Sequence, residues 1–200
     1  MLLANYSQCD ERDQSQCIIT GDLTHDVAPI YPFSLRDHRL TESPSGGNIW
    51  EALQYFWSKD RVEAWHQAIS SHGTEVCHHL MCLSPSAHRY HAKGYFALKP
   101  IWMSDDHKRL TVKFFWLLKG SDQRFVNLCS APSVEGYDQG PGYARLFNHD
   151  TSDPVRSGDE IQLRTEDPVD HPLPSWELLE MQWFLNRSLA ISGVAEVEDD

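Results

Sequence analysis

The residues of this 200-residue chain with the clearest capacity for chemistry crowd into one stretch, Cys77 to Pro100, reading CHHLMCLSPSAHRYHAKGYFALKP. It holds His78, His79, His88 and His91. Neutral imidazole is the commonest protein ligand for divalent metals, so histidines at the two ends of a compact corner can share one ion. The elements that must position them are local. The apolar run ending near Leu83 predicts a short strand, Ser84-Pro85 a turn, and the residues from about Ser86 a helix that stops at Gly94. His88 and His91, three apart, fall on one face of that helix. A second reading has the same pair completing hydrogen bonds in a core lined by Leu80, Leu83, Tyr95 and Phe96. A third is a structural zinc site built from His79, His88 and a thiolate of Cys77 or Cys82, whose binding energy would be folding energy.

Composition bounds the alternatives. With 40% hydrophobic and 11% aromatic residues the chain can bury the core of one domain. No apolar run reaches membrane-spanning length, and the Met1-Leu-Leu-Ala start lacks a basic segment followed by a sustained apolar one, so a soluble, non-secreted protein without a membrane partner is expected. Five cysteines (Cys9, Cys17, Cys77, Cys82, Cys129) make an odd count with no CxxC pair. Reduced thiols in an intracellular setting, cytoplasmic or nuclear, fit that usage.

The net charge of −12 argues against a surface that grips nucleic acid throughout, because phosphate neutralisation supplies most of such affinity. The charge is unevenly spread. Residues 86–119 carry seven basic residues against two acidic ones, whereas 120–200 carry five against sixteen and end in an acidic tail over 197–200. DNA, if bound, is expected at 86–119; the alternative is a protein partner.

Taken in order, residues 1–16 read as a polar, loosely held lead-in. Cys17-Ile-Ile-Thr20 and Val27–Tyr31 read as a β-hairpin, with Pro29 making the second strand an edge or bulged one. Ser43–Gly47 reads as a hinge. Apolar residues between Ile49 and Ser70 recur every three or four, predicting one or two amphipathic helices with a break near Lys59-Asp60. Tyr95–Leu98 and Leu110–Leu118 read as a hairpin turning at Asp105-Asp106-His107, and 119–154 as an irregular excursion. Ser157–Thr165 reads as a turn and a short strand with Ile161 and Leu163 on one face. Ser175 caps a final helix from Trp176, with Leu178, Met181, Leu185 and Leu189 as its buried stripe and Gly193 beyond its end.

Several pieces in this order resemble the HNH nuclease family, in the form of the fungal HNH-domain proteins: Cys17-Ile-Ile-Thr-Gly21, Val27-Ala-Pro-Ile-Tyr-Pro-Phe-Ser34, His79-Leu-Met-Cys-Leu-Ser-Pro-Ser-Ala-His88 and Gly94–Pro100. Thr165-Glu-Asp-Pro168, Pro172-Leu-Pro-Ser175 and Glu177–Trp183 extend the likeness. It implies an α+β fold with a ββα-metal core, an inserted helical segment at about 49–70, additional antiparallel strands and a C-terminal helix, all in one domain over 17–196. It also implies a hydrolase that cuts phosphodiester bonds with a divalent ion (Mg, Mn, Zn or Ni) and a histidine base.

The resemblance places Pro29 at the base position and His79 at the position of the middle Asn; the last His is kept at His88. Pro29 has no titratable group, which implies activity weakened or lost and makes the chain a pseudoenzyme candidate. The candidate catalytic residues are thus His79 and His88, with His25 as a substitute base some 13 Å along the strand at roughly 3.3 Å per residue. The candidate metal ligands are His79, His88 and His91, with Asp26 as an alternative, and Arg89 and Lys93 are candidate phosphate contacts. The alternative function is a non-catalytic interaction or regulatory module on the same fold.

Overall fold

A computed structural model describes residues 2–31, 49–70, 76–117 and 138–192. The expected hinge at 43–47, the turn at 71–74, most of the excursion, Gly193 and the acidic tail lie outside them. Helix α1 spans Leu2–Arg12, where a loose lead-in is expected. Tyr6, Cys9 and Asp13 stand three or four apart, so one narrow stripe packs inward although the segment as a whole is polar. Cys9, Arg12 and Asp13 are buried.

Strand β1 is Asp26–Pro29. Its partner is not Cys17–Thr20 but β2, Leu80–Leu83, antiparallel with Asp26 opposite Leu83 and Pro29 opposite Leu80. The β-branched propensity of Cys17–Thr20 loses to a tight turn. Gly21 N donates to Cys17 O at 2.9 Å and Cys17 N to Asp22 O at 2.9 Å, with Gly21 at φ 71°, where a side chain would be strained. The turn still serves the sheet, because Ile18 N donates to Cys82 O at 3.0 Å.

Alternation along β1 and β2 divides the two-stranded sheet into two faces. Val27, Pro29, Leu80 and Cys82 share one; Val27, Leu80 and Cys82 pack there with Cys9 and Tyr6 of α1. Asp26, Ala28, Met81 and Leu83 share the other, where Ala28, Met81 and Leu83 join Ala87 in the main core. Ala87 belongs to α4, Pro85–Ala92, which follows the expected turn. Ser84 Oγ accepts from Ala87 N at 3.4 Å, Pro85 fills the first turn, and Gly94 at φ 64° ends the helix. Ser84→Ala is expected to cost about 1 kcal/mol of unfolding free energy, measurable by urea denaturation; no change would show that the cap contributes nothing here.

Helices α2, Ile49–Leu53, and α3, Lys59–Ser70, form the helical insertion, with the break just before Lys59. Trp65 is fully buried against Trp57 and Phe184, whereas Phe56, in the break, is 77% exposed. Strands β3 (Phe96–Met103), β4 (Arg109–Trp116) and β5 (Glu160–Arg164) make an antiparallel sheet in that order. The expected hairpin and short strand are both present. Leu163 is buried opposite Leu110, while Ile161 is only partly covered. Helix α5, Trp176–Ser192, lies on β3. Ser175 Oγ accepts from Leu178 N at 3.3 Å as the expected cap, and Leu178 and Met181 are buried. The architecture is α+β with small antiparallel sheets.

Candidate functional site

Adjacent residues on β1 turn to opposite faces, and that parity sorts the candidate residues. Asp26 turns toward α4, where its Oδ2 lies 3.1 Å from His88 Nδ1. Both side chains are partly open to solvent, at 52% and 38%. His25 turns the other way, to α1: its Nδ1 donates to Leu23 O at 2.9 Å and its Nε2 to Asp10 Oδ1 at 2.6 Å. Burial opposes charge on His25, but these two acceptors outweigh it and raise its pKa. Pro29 faces as Leu80 does, on the α1 side. The structure therefore brings Asp26 to His88 and leaves His25 and Pro29 on the opposite face.

His79 ends a 3-10 turn at Cys77–His79 that leads into β2. Its ring is fully buried, edge-on to Tyr31 at 5.8 Å and to His78 at 4.5 Å, and its carbonyl accepts from Ile30 N at 2.9 Å. His91 is also buried, 5.5 Å from the Phe96 ring and hydrogen-bonded by the Gln182 side chain of α5. Burial pushes its pKa down to about 4. So His88 and His91, three residues apart on α4, divide between surface and core.

Among the described residues, the groups of three or more His, Cys, Asp or Glu ligand atoms gathered within 4.8 Å of one another are Cys9–Asp13–Cys82 and Asp10–His25–Cys82. Neither includes His79, His88 or His91. Sequence reasoning missed Cys9, Asp10 and Asp13; the available signal was Cys-x-x-x-Asp, a helical repeat hidden in a polar segment.

The described basic residues of the stretch are divided between the α4 end of the domain and the β3–β4 hairpin. Arg89 and Lys93 are exposed on α4 beside His88, with Lys93 Nζ 5.8 Å from the Tyr95 ring. Lys99 and Lys113 stand opposite each other across β3 and β4, Lys113 Nζ 3.2 Å from Glu160 and Lys99 Nζ 5.8 Å from the Trp183 ring. Lys119 lies outside the described residues.

A carboxylate oxygen and an imidazole nitrogen at 3.1 Å on an open surface form a donor pair of the type that divalent ions accept. Among the described residues no helix is long and apolar enough to cross a membrane. No curated protein and no solved structure matches the chain. A family model does match, that of HNH endonuclease, over residues 17–99. The matched span begins at the Cys17 turn, takes in β1, the α2–α3 insertion, β2 and α4, and ends in β3. Over residues 17–99, then, this chain is similar to the HNH endonucleases.

Proposed function

We propose that β1, β2 and α4 form a ββα-metal nuclease core whose phosphodiesterase activity is weakened or lost. The observation that carries this reading is the Asp26–His88 pair, which ties α4 to β1 at an open surface inside the matched span. Asp26 and His88 would hold a divalent ion, Mg, Mn, Zn or Ni. Such an ion supplies Lewis-acid stabilisation of charge on a phosphate oxygen. Arg89 and Lys93, exposed on the same helix, would meet the nucleic-acid backbone. His91 would support the site from beneath by fixing α4 against Gln182, and His79 by anchoring the entry to β2.

What the site lacks is a base. Pro29 carries no titratable group, and strand parity turns residue 29 toward α1, away from His88. General-base catalysis contributes on the order of 10²–10⁴ in rate, so its loss leaves at most weak hydrolysis. Plasmid nicking with each of the four metals is expected to be weak or undetectable, and Pro29→His is expected to restore none of it. Robust nicking that disappears in His88→Ala would overturn the inactive reading.

A second reading, a non-catalytic interaction or regulatory module, draws on Tyr55 and Phe56, which stand 88% and 77% exposed between α2 and α3. Tight, weakly salt-dependent protein binding with none to DNA would favour it, and a steep salt slope on DNA would count against it.

A further inference from the structure

On the face of β1–β2 opposite His88, α1 delivers a second donor set that the nuclease reading does not use. Cys9 ends a turn of α1 facing Cys82 of β2, with their Sγ atoms 4.0 Å apart. Asp13, one turn beyond Cys9, places its Oδ2 3.7 Å from Cys9 Sγ. All three residues are buried. Beside them, Asp10 and His25 bring an oxygen and a nitrogen within 4.8 Å of each other and of Cys82 Sγ.

These separations suit one tetrahedral ion. Zinc–sulfur bonds of about 2.3 Å and zinc–oxygen bonds of about 2.0–2.2 Å place tetrahedral ligand atoms roughly 3.5–3.8 Å apart. The Cys9–Cys82 and Cys9–Asp13 distances need close by only a few tenths of an ångström to reach that geometry. We propose that Cys9, Asp13 and Cys82 form a structural zinc site that staples α1 to the β1–β2 sheet.

The charge arithmetic of the pocket favours this. Arg12 is buried against Asp13, its Nε 2.8 Å from Oδ1 and its Nη2 2.9 Å from Oδ2. With both thiols protonated, Asp13 and Arg12 leave the pocket neutral. With zinc bound, two thiolates and Asp13 supply three negative charges against the ion's two and the one of Arg12, so the pocket is again neutral. Binding exchanges two S–H protons, released to solvent, for two Zn–S bonds, and no electron is transferred. Arg12 Nη2 lies 3.4 Å from Cys9 Sγ, placed to donate to that thiolate. This site is independent of the nuclease reading, since it lies on the other face of the sheet and uses none of its residues.

The full chain, purified and desalted, is expected to retain about one zinc, with X-ray absorption at the zinc edge counting two sulfur neighbours at about 2.3 Å. Cobalt exchanged into the protein is expected to show thiolate-to-cobalt charge-transfer absorption. That absorption should vanish in Cys82→Val and persist in His88→Ala and Cys77→Ala, which separates this site from a metal at Asp26–His88. Because the sulfur count is read on the wild-type chain, it decides the matter even if Cys82→Val does not fold. A sulfur count of zero, charge transfer that survives a folded Cys82→Val, or a chain that binds no zinc and instead forms a Cys9–Cys82 disulfide under a mild thiol oxidant would each overturn the proposal.

Discussion

Arg12→Met is expected to lower the unfolding free energy by about 3–5 kcal/mol, the scale for breaking a buried ion pair from one side. The Arg12 side chain is fully buried, and its guanidinium serves three parts of the fold at once. It pairs with Asp13 and donates to Cys77 O at 3.0 Å, Leu80 O at 2.8 Å and Pro172 O at 2.9 Å. Methionine fills much of the volume but leaves the Asp13 carboxylate without its counter-charge and three carbonyls without their donor. Urea denaturation of the metal-free chain measures the loss. Adding Asp13→Leu to Arg12→Met should recover part of it, because the orphaned charge is then gone. A loss below about 1 kcal/mol would show that water reaches the pocket and solvates Asp13.

The second large effect is on stability against acid. His91 is held neutral in the core with a pKa of about 4, below its value of about 6.5 in an unfolded chain. Between those values the unfolded chain binds the proton and the folded one does not. The contribution is therefore fully present above about pH 6.5 and is lost as pH falls toward 4, amounting to on the order of 3 kcal/mol at pH 4. Urea melts from pH 7 down to 4.5 are expected to show it, and His91→Leu should flatten that slope. His25 has the opposite sign. Its pKa is raised, so its pairing with Asp10 stabilises the fold below about pH 6.5 and fades as pH rises through the raised value. An unchanged slope in His91→Leu would show that carboxylates, not His91, set the acid limit.

Much of the fold is legible from local pattern. The break before α3, the Ser84 and Ser175 caps, the stop at Gly94 and the β3–β4 hairpin depend on residues within a few positions of one another, where capping, turn chemistry and periodicity act. The β1–β2 pairing is harder to read, because its two strands are separated by the α2–α3 insertion and Cys17–Thr20 offers a nearer, misleading β-branched run. Helix α1 is obscured for a different reason. Its buried stripe consists of a cysteine and an ion pair rather than leucines, so hydropathy does not reveal it.

The candidate site divides along the same line. Residue types alone determined that Pro29 cannot act as a base and that several imidazoles and thiols are available; the place of His88 as a nuclease's last histidine is what the resemblance implies. Which of them meet was decided by the tertiary structure. A strand sends successive side chains to opposite faces and a helix turns about 100° per residue, so neighbours in sequence part while distant residues converge. His25 and Asp26 are consecutive yet reach α1 and α4 respectively; His88 and His91 share a helix yet divide between solvent and core; Cys9 and Cys82, far apart in the chain, stand 4.0 Å apart.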